Sequence, residues 1–177
     1  MDNFKMDSFC EQIVPVRKGI KQWALLCAIW VAAFVVVFLI VSYVLKNIAL
    51  IGIGVLLIVG AFYGATRLSK LFDVEYEMIV VNKDMDIDKI TAKSSRKRVL
   101  SIQLADVEEY GEYTKERQDR LAGKQFDARC FYCNPDDKAQ YMIYKHPKKG
   151  KLLIVVSMND KLKEEALKTI PRFVIHN

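Results

Sequence analysis

The chain has 177 residues and 52% hydrophobic side chains, yet its mean hydropathy is only +0.09, so the apolar residues are concentrated in part of it. Its net charge of +6 arises from 27 Lys plus Arg against 21 Asp plus Glu, a mixture that does not by itself imply nucleic acid, for which a concentrated basic face with interleaved aromatics is wanted. From Arg67 onward lie 22 of those bases and 18 of the acids, a balance suited to a soluble body near an anionic leaflet.

The first segment, residues 1–21, is polar with scattered apolar side chains. Asp2 or Asn3 is placed to cap a short helix with Phe9, Ile13 and Val16 near one face, and Pro15 limits its length. Arg17, Lys18 and Lys21 then sit where headgroups would be met, as in an interfacial helix. The alternative is a partly ordered lead-in to the membrane.

Residues 22–66 contain two apolar runs, Gln22 to Leu45 and Asn47 to Thr66, divided by Lys46. At 1.5 Å per residue each reaches about 30 Å or more, enough to cross a hydrocarbon core. One continuous helix would be about twice that thickness, and a signal peptide has a shorter apolar core and no second run directly after it. Lys46 and Asn47 therefore mark a turn, and the runs form a transmembrane hairpin with both flanks on one side. Arg17, Lys18, Lys21, Arg67 and Lys70 flank the hairpin against the single Lys46 in its turn. By the positive-inside rule the expectation is a multi-pass protein of the cell membrane with both termini cytoplasmic.

Within the first run Trp23 and Tyr43 lie near the ends, where amphipathic rings anchor at the interface, with Trp30 between them. The second run carries Gly52, Gly54, Gly60 and Gly64. The Gly60–Gly64 spacing is a GxxxG, the candidate for helix packing within the hairpin or with another copy. No ionisable acid, base or histidine lies inside either run, which argues against an ion or proton pathway.

Residues 67–177 form the expected cytoplasmic domain, long enough for a core of their own. Val74 to Val81 alternates as a strand with a buried face, ended by a turn over Asn82 to Asp86. Ile87 to Lys93 is a second strand with irregular alternation, and Lys97 to Leu104 a third, with Leu100, Ile102 and Leu104 facing in. Asp106 to Tyr113 reads as a strand broken at Gly111, and Thr114 to Gly123 as a charged loop or short helical turn. Phe126 to Cys133, Ala139 to Lys145 and Lys151 to Met158 complete about seven strands, separated by NPDD and HPKKG turns. This spacing predicts an antiparallel meander. Ser157, Asn159 or Asp160 then caps a helix with Leu162, Ala166, Leu167 and Ile170 on one face, stopped by Pro171.

Of the four cysteines, Cys10, Cys27, Cys130 and Cys133, none is expected in a disulfide in a cytoplasmic setting. Cys130 and Cys133 make a CxxC, but the only histidines are His146 and His176, and residues three apart on a strand point to opposite faces. They read as semi-buried structural thiols, not a metal site.

A two-helix hairpin followed by LFDVEYEMIVVNKDMDIDKI, then RKRVLSIQLADVEEY, then a closing MNDKLKEEALKTI, resembles the bacterial pleckstrin-homology-like membrane proteins, especially a two-transmembrane-helix family of Gram-positive bacteria. The resemblance implies an α+β membrane protein. Its N-terminal hairpin is followed by an antiparallel pleckstrin-homology-like half-barrel of about seven strands, plugged by the C-terminal helix. It implies no reaction.

Two basic clusters are candidates for anionic headgroups, Lys93, Arg96, Lys97 and Arg98, and Lys145, His146, Lys148, Lys149 and Lys151. They are expected at opposite ends of the barrel, and each competes with a reading as a solvated hairpin tip. No phosphate-binding GxxxxGK[ST], no HExxH, no GxSxG and no dinucleotide fingerprint occurs. The acids Asp84, Asp86, Asp88, Glu108 and Glu109 are expected to be solvating. The sequence thus points to a module without catalytic residues, cofactor or metal. Its expected partners are the lipid bilayer and a protein partner or a second copy; the alternatives are headgroup sensing or an accessory role in a transporter or envelope complex.

Overall fold

The computed structural model describes residues 9–135 and 137–176. They divide into two compact units, Arg17–Val74 with Thr91–Ser95, and Glu75–Ile90 with the chain from Arg96 onward and the segment ending at Val16.

The helical unit contains α1 (Ile20–Val44) and α2 (Ile51–Lys70), joined by a turn and a 3-10 segment, Ile48–Leu50. Their 25 and 20 residues correspond to about 37 and 30 Å. The second helix starts later than Asn47, because the turn continues into the 3-10 segment, and it runs on through Arg67 and Lys70. Both helices are long and apolar enough to cross a membrane, and only 11% of each apolar window is buried. Val31, Phe38 and Leu56 point outward, between 62% and 73% exposed. The two helices meet through Phe62, whose ring lies 5.9 Å edge-on from Phe34 and 6.4 Å from Trp30. Gly54 packs against Val44 so closely that a Cβ there would lie 2.5 Å from a valine methyl. At the base, Lys18 Nζ pairs with Asp73 Oδ1 at 2.6 Å.

The other unit holds nearly all of two sheets. The first has the order β1-β2-β3-β4, from β1 (Phe9–Pro15), β2 (Val74–Val81), β3 (Asp84–Thr91) and β4 (Ser95–Gln103). The expected N-terminal helix is corrected. Asp2 and Asn3 lie outside the described residues, while Phe9 to Pro15 pairs antiparallel with β2, from Phe9 opposite Val81 to Pro15 opposite Glu75. Period two prevails over the i, i+4 spacing of Phe9 and Ile13, because Cys10 and Val14 pack into the core and leave Phe9 and Ile13 outside. Pro15 is tolerated at the end of an edge strand. Gln12 fastens β1 from its side chain: its Nε2 donates to the Ser157 carbonyl at 3.1 Å, and its Oε1 accepts from the Asn159 N–H at 2.7 Å.

The turn between β2 and β3 is shorter than Asn82 to Asp86. Asn82, at φ 54°, takes the left-handed conformation that asparagine tolerates, and pairing resumes at Asp84. On β4, Val99 and Leu100 both pack toward the core, so the alternation slips by one residue between the outward Arg96 and Arg98 and the buried Ile102.

The second sheet has the order β6-β8-β7-β5-β9, with β5 (Val107–Glu112), β6 (Ala128–Tyr132), β7 (Gln140–His146), β8 (Gly150–Val156) and β9 (Ile175–His176). The expected seven-strand meander is corrected here. β5, β7 and β8 are antiparallel neighbours, but β6 pairs parallel with β8 and β9 parallel with β5. The cause is α3 (Lys115–Ala122), the segment read as a charged loop or turn. It carries the chain past β7 and β8 to the far edge, where β6 has only the parallel direction left. Leu121 of α3 closes a second apolar cluster with Tyr141, Ile143, Leu153 and Val155, so this sheet is covered on both faces.

The main core lies between the sheets, with Met78, Val80, Met85, Ile87, Met142, Leu152 and Ile154 fully buried. α4 (Asp160–Thr169) packs Leu162 and Ala166 into it. Asn159 caps it, its Oδ1 accepting from the Leu162 N–H at 2.8 Å, and Pro171 follows its end as expected.

Candidate functional site

The RKR segment of β4 is the first candidate, and its two arginines, though more than half exposed, are paired with carboxylates of the neighbouring strands. Arg96 pairs with Glu77 at 2.9 Å, and Arg98 with Asp86 at 3.0 Å and Asp88 at 3.2 Å. Glu77 and Asp88 are only 3% and 5% exposed, which corrects the expectation that the β3 acids simply face water. A buried carboxylate needs such a partner, since an unpaired charge away from water is costly. Of the four predicted headgroup contacts, Lys93 lies in the β3–β4 turn of the helical unit. Lys97 is exposed on β4, and the two arginines serve as counter-ions.

The second basic cluster forms the β7–β8 turn. His146 Nδ1 accepts from the N–H groups of Lys148 and Lys149 at 3.0 and 3.2 Å, which shapes the turn. Lys149 Nζ donates to the Val99 carbonyl, the residue after Arg98. The two clusters are therefore neighbours, not at opposite ends of the barrel. Gly150, at φ +72°, completes the turn, and a Cβ there would collide with Asp127, whose carboxylate accepts from the Lys151 N–H at 2.6 Å.

A polar network that the sequence does not display fixes α3. Glu109 Oε1 accepts from Tyr141 Oη at 2.6 Å and from Arg120 at 2.5 Å, and its Oε2 from Lys124 at 3.0 Å. Burial would raise the Glu109 carboxyl, but the bonds from Tyr141 and Lys124 and the charges of Lys124 and Arg120 together hold it below the usual range. Burial, and then the Glu109 bond, push Tyr141 up to about 12. Arg129 closes the far end of the helix, donating to the carbonyls of Leu121, Ala122 and Lys124. These groups lock one another, and a tyrosine held so strongly protonated is a poor base.

Cys130 packs against the main core and Cys133 against the second cluster, on opposite sides of the β6 sheet. Burial, with the nearby Asp137, raises the Cys133 thiol. Among the described residues no three His, Cys, Asp or Glu side chains are grouped to hold a metal.

On the helical unit, Gly60 and Gly64 pack against nothing: a Cβ at either would meet no atom within 4 Å. They line an open groove of about 330 Å³ with Ile29, Ala32, Ala61 and Leu68. Elsewhere in the hairpin Gly54 packs against Val44, Phe62 lies against Phe34 and Trp30, and Leu26, Ala33 and Ala65 are buried.

No curated protein and no solved structure matches the chain. The family described as Bacterial PH-like domain (DUF6106) matches residues 6–176, a span that includes β1, both apolar helices, the two sheets and α4. The chain belongs to this family of bacterial pleckstrin-homology-like domains.

Proposed function

We propose that the protein is a membrane-anchored interaction module. The α1–α2 hairpin spans the cell membrane, both termini lie in the cytoplasm, and the pleckstrin-homology-like domain is held at that face to bind a protein partner or a second copy. The observation that carries the reading is where the hairpin is inserted. It interrupts the domain between β1 and β2, whose ends at Pro15 and Glu75 are paired in register, so its two ends leave the sheet side by side. The exposed apolar surface of both helices supports lipid as their solvent. At the base of the hairpin Lys18 lies over Trp23 and Arg67 over Tyr63, each within 6 Å, the pairing of rings and bases favoured at a bilayer interface.

Alkaline extraction of membranes tests the anchor, and an impermeant thiol reagent on intact cells tests the orientation. A cysteine placed at Asn47 is expected to label from outside, and Cys10, Cys130 and Cys133 only after lysis. Labelling of Cys133 in intact cells would reverse the topology.

Self-association through the Gly60–Gly64 groove is favoured by its open, small-residue face. Gly60→Ala with Gly64→Ala puts each new Cβ where no atom of the chain lies within 4 Å, so a loss of crosslinked dimer in membranes reports on contact between copies. An unchanged dimer yield would remove this face from the interface.

A further inference from the structure

Among the described residues the bases at the end of α2, unlike those of β4, have no counter-ion. Among the described residues no carboxylate lies within ion-pair distance of Arg67 or Lys70, and the acid in the same stretch, Asp73, is engaged by Lys18. Both bases open onto a cleft of about 550 Å³ that Leu68, Leu71, Thr91, Ser94 and Ser95 also line. The cleft belongs wholly to the helical unit, which includes the β3–β4 turn. That turn is held there by the Ala92 N–H, donating to the Asp73 carbonyl at 2.8 Å. Ala92 and Lys93 both sit at φ 55°, the pair of positive angles a two-residue hairpin turn takes, and the Ser94 N–H closes the turn on the Thr91 carbonyl at 3.2 Å.

We infer that this cleft binds the phosphate group of an anionic phospholipid. Arg67 and Lys70 supply the charge, and the hydroxyls of Thr91, Ser94 and Ser95 supply donors to the phosphate oxygens. Leu68 and Leu71 are 51% and 56% exposed. A soluble phosphate would leave them in water, whereas the glycerol and upper acyl chain of a lipid cover them. The β4 arginines, neutralised by Glu77, Asp86 and Asp88, have little charge left for such a ligand. The inference rests on the anchored reading, which places the end of α2 at headgroup depth.

The test is native mass spectrometry of the full chain in detergent, titrated with phosphatidylglycerol or phosphatidylcholine. The wild type is expected to prefer phosphatidylglycerol. Arg67→Gln or Lys70→Gln is expected to weaken that lipid about fivefold and the pair more than about tenfold, in line with the attraction of each base near an anionic surface. The charge-keeping pair Arg67→Lys and Lys70→Arg, and Lys145→Gln with Lys148→Gln on the β7–β8 turn, should leave the preference intact. Full affinity in the doubly neutralised variant, or an equal loss in the β7–β8 control, would overturn the site. Displacement of the lipid by inorganic phosphate beyond that by chloride at equal ionic strength would overturn the lipid as the source of the phosphate. A wild type extracted by alkali refutes the anchor; one that resists alkali but shows no lipid preference refutes this site alone.

Discussion

Gly54 and Gly60 lie on the same helix and carry the same residue type, so replacing each with alanine separates packing from propensity. Both changes gain helix propensity of about 1 kcal/mol in the same direction, and that gain cancels in the comparison. The structural difference is the neighbour. At Gly54 the new Cβ meets a Val44 methyl at 2.5 Å, whereas at Gly60 it meets nothing within 4 Å. Val44 closes α1, and a β-branched side chain on a helix has essentially one rotamer to occupy. Relief must therefore come from a shift of the helices, at about 1–3 kcal/mol for an overpacked contact. Gly54→Ala is expected to be less stable than Gly60→Ala by that amount, measured as the midpoint of SDS-induced unfolding of the detergent-solubilised chain by circular dichroism. Equal midpoints would mean that α1 and α2 do not meet at Gly54.

Leu162→Ala, which empties a fully buried position of α4, should destabilise the domain by about 2–5 kcal/mol in thermal melts followed by circular dichroism. The Glu109 carboxyl is held below its ordinary value in the fold, so its contribution is present above the unfolded value near 4.3 and is lost as the pH falls through the folded one. Glu109→Gln should accordingly flatten the acid limb of a stability profile below about pH 4.5. A mutant with the wild-type acid limb would show that the network does not stabilise the fold. Tyr141, raised to about 12, contributes below pH 10 or so and loses its contribution as the pH climbs toward the folded value. Tyr141→Phe should remove that step from the alkaline limb. Gln12→Leu leaves the Ser157 carbonyl and the Asn159 N–H without their partner. It should speed hydrogen exchange of the β1 amides before those of β7 and β8.

The parts of this fold that are legible in the sequence are those specified by adjacent residues. Length and hydropathy locate α1 and α2, the Asn159 cap and the Leu162, Ala166, Ile170 stripe locate α4, and strict alternation locates β2. The parts that are not legible depend on residues far apart in the chain. The Phe9 to Val16 segment satisfies a helical face as well as a strand, and its partner β2 comes only after the whole hairpin. The parallel pairing of β6 has no local mark, because it follows from a crossover whose helix shows one apolar anchor, Leu121, among charges. The same distinction governs the candidate sites. RKR reads as free positive charge until the fold brings Glu77, Asp86 and Asp88 beside it. Arg67 and Lys70, read only as topology markers, acquire a cleft through a turn that lies twenty or so residues later in the sequence.

Insertion of the hairpin between β1 and β2 puts both of its connections at one end of the β1–β2 ladder. Residues 16–19 and 71–73 are all that separate the helices from β1 and β2, and the pair Pro15–Glu75 terminates the ladder at that point. The Pro15 carbonyl is further held by Asn134 Nδ2 at 3.1 Å, and Gln12 ties the middle of β1 to the cap of α4. The edge strand β1 is thus fixed at its end by Asn134 and at its middle by Gln12, and these side-chain bonds from distant parts of the chain hold its register against β2 although the whole hairpin lies between the two strands in sequence.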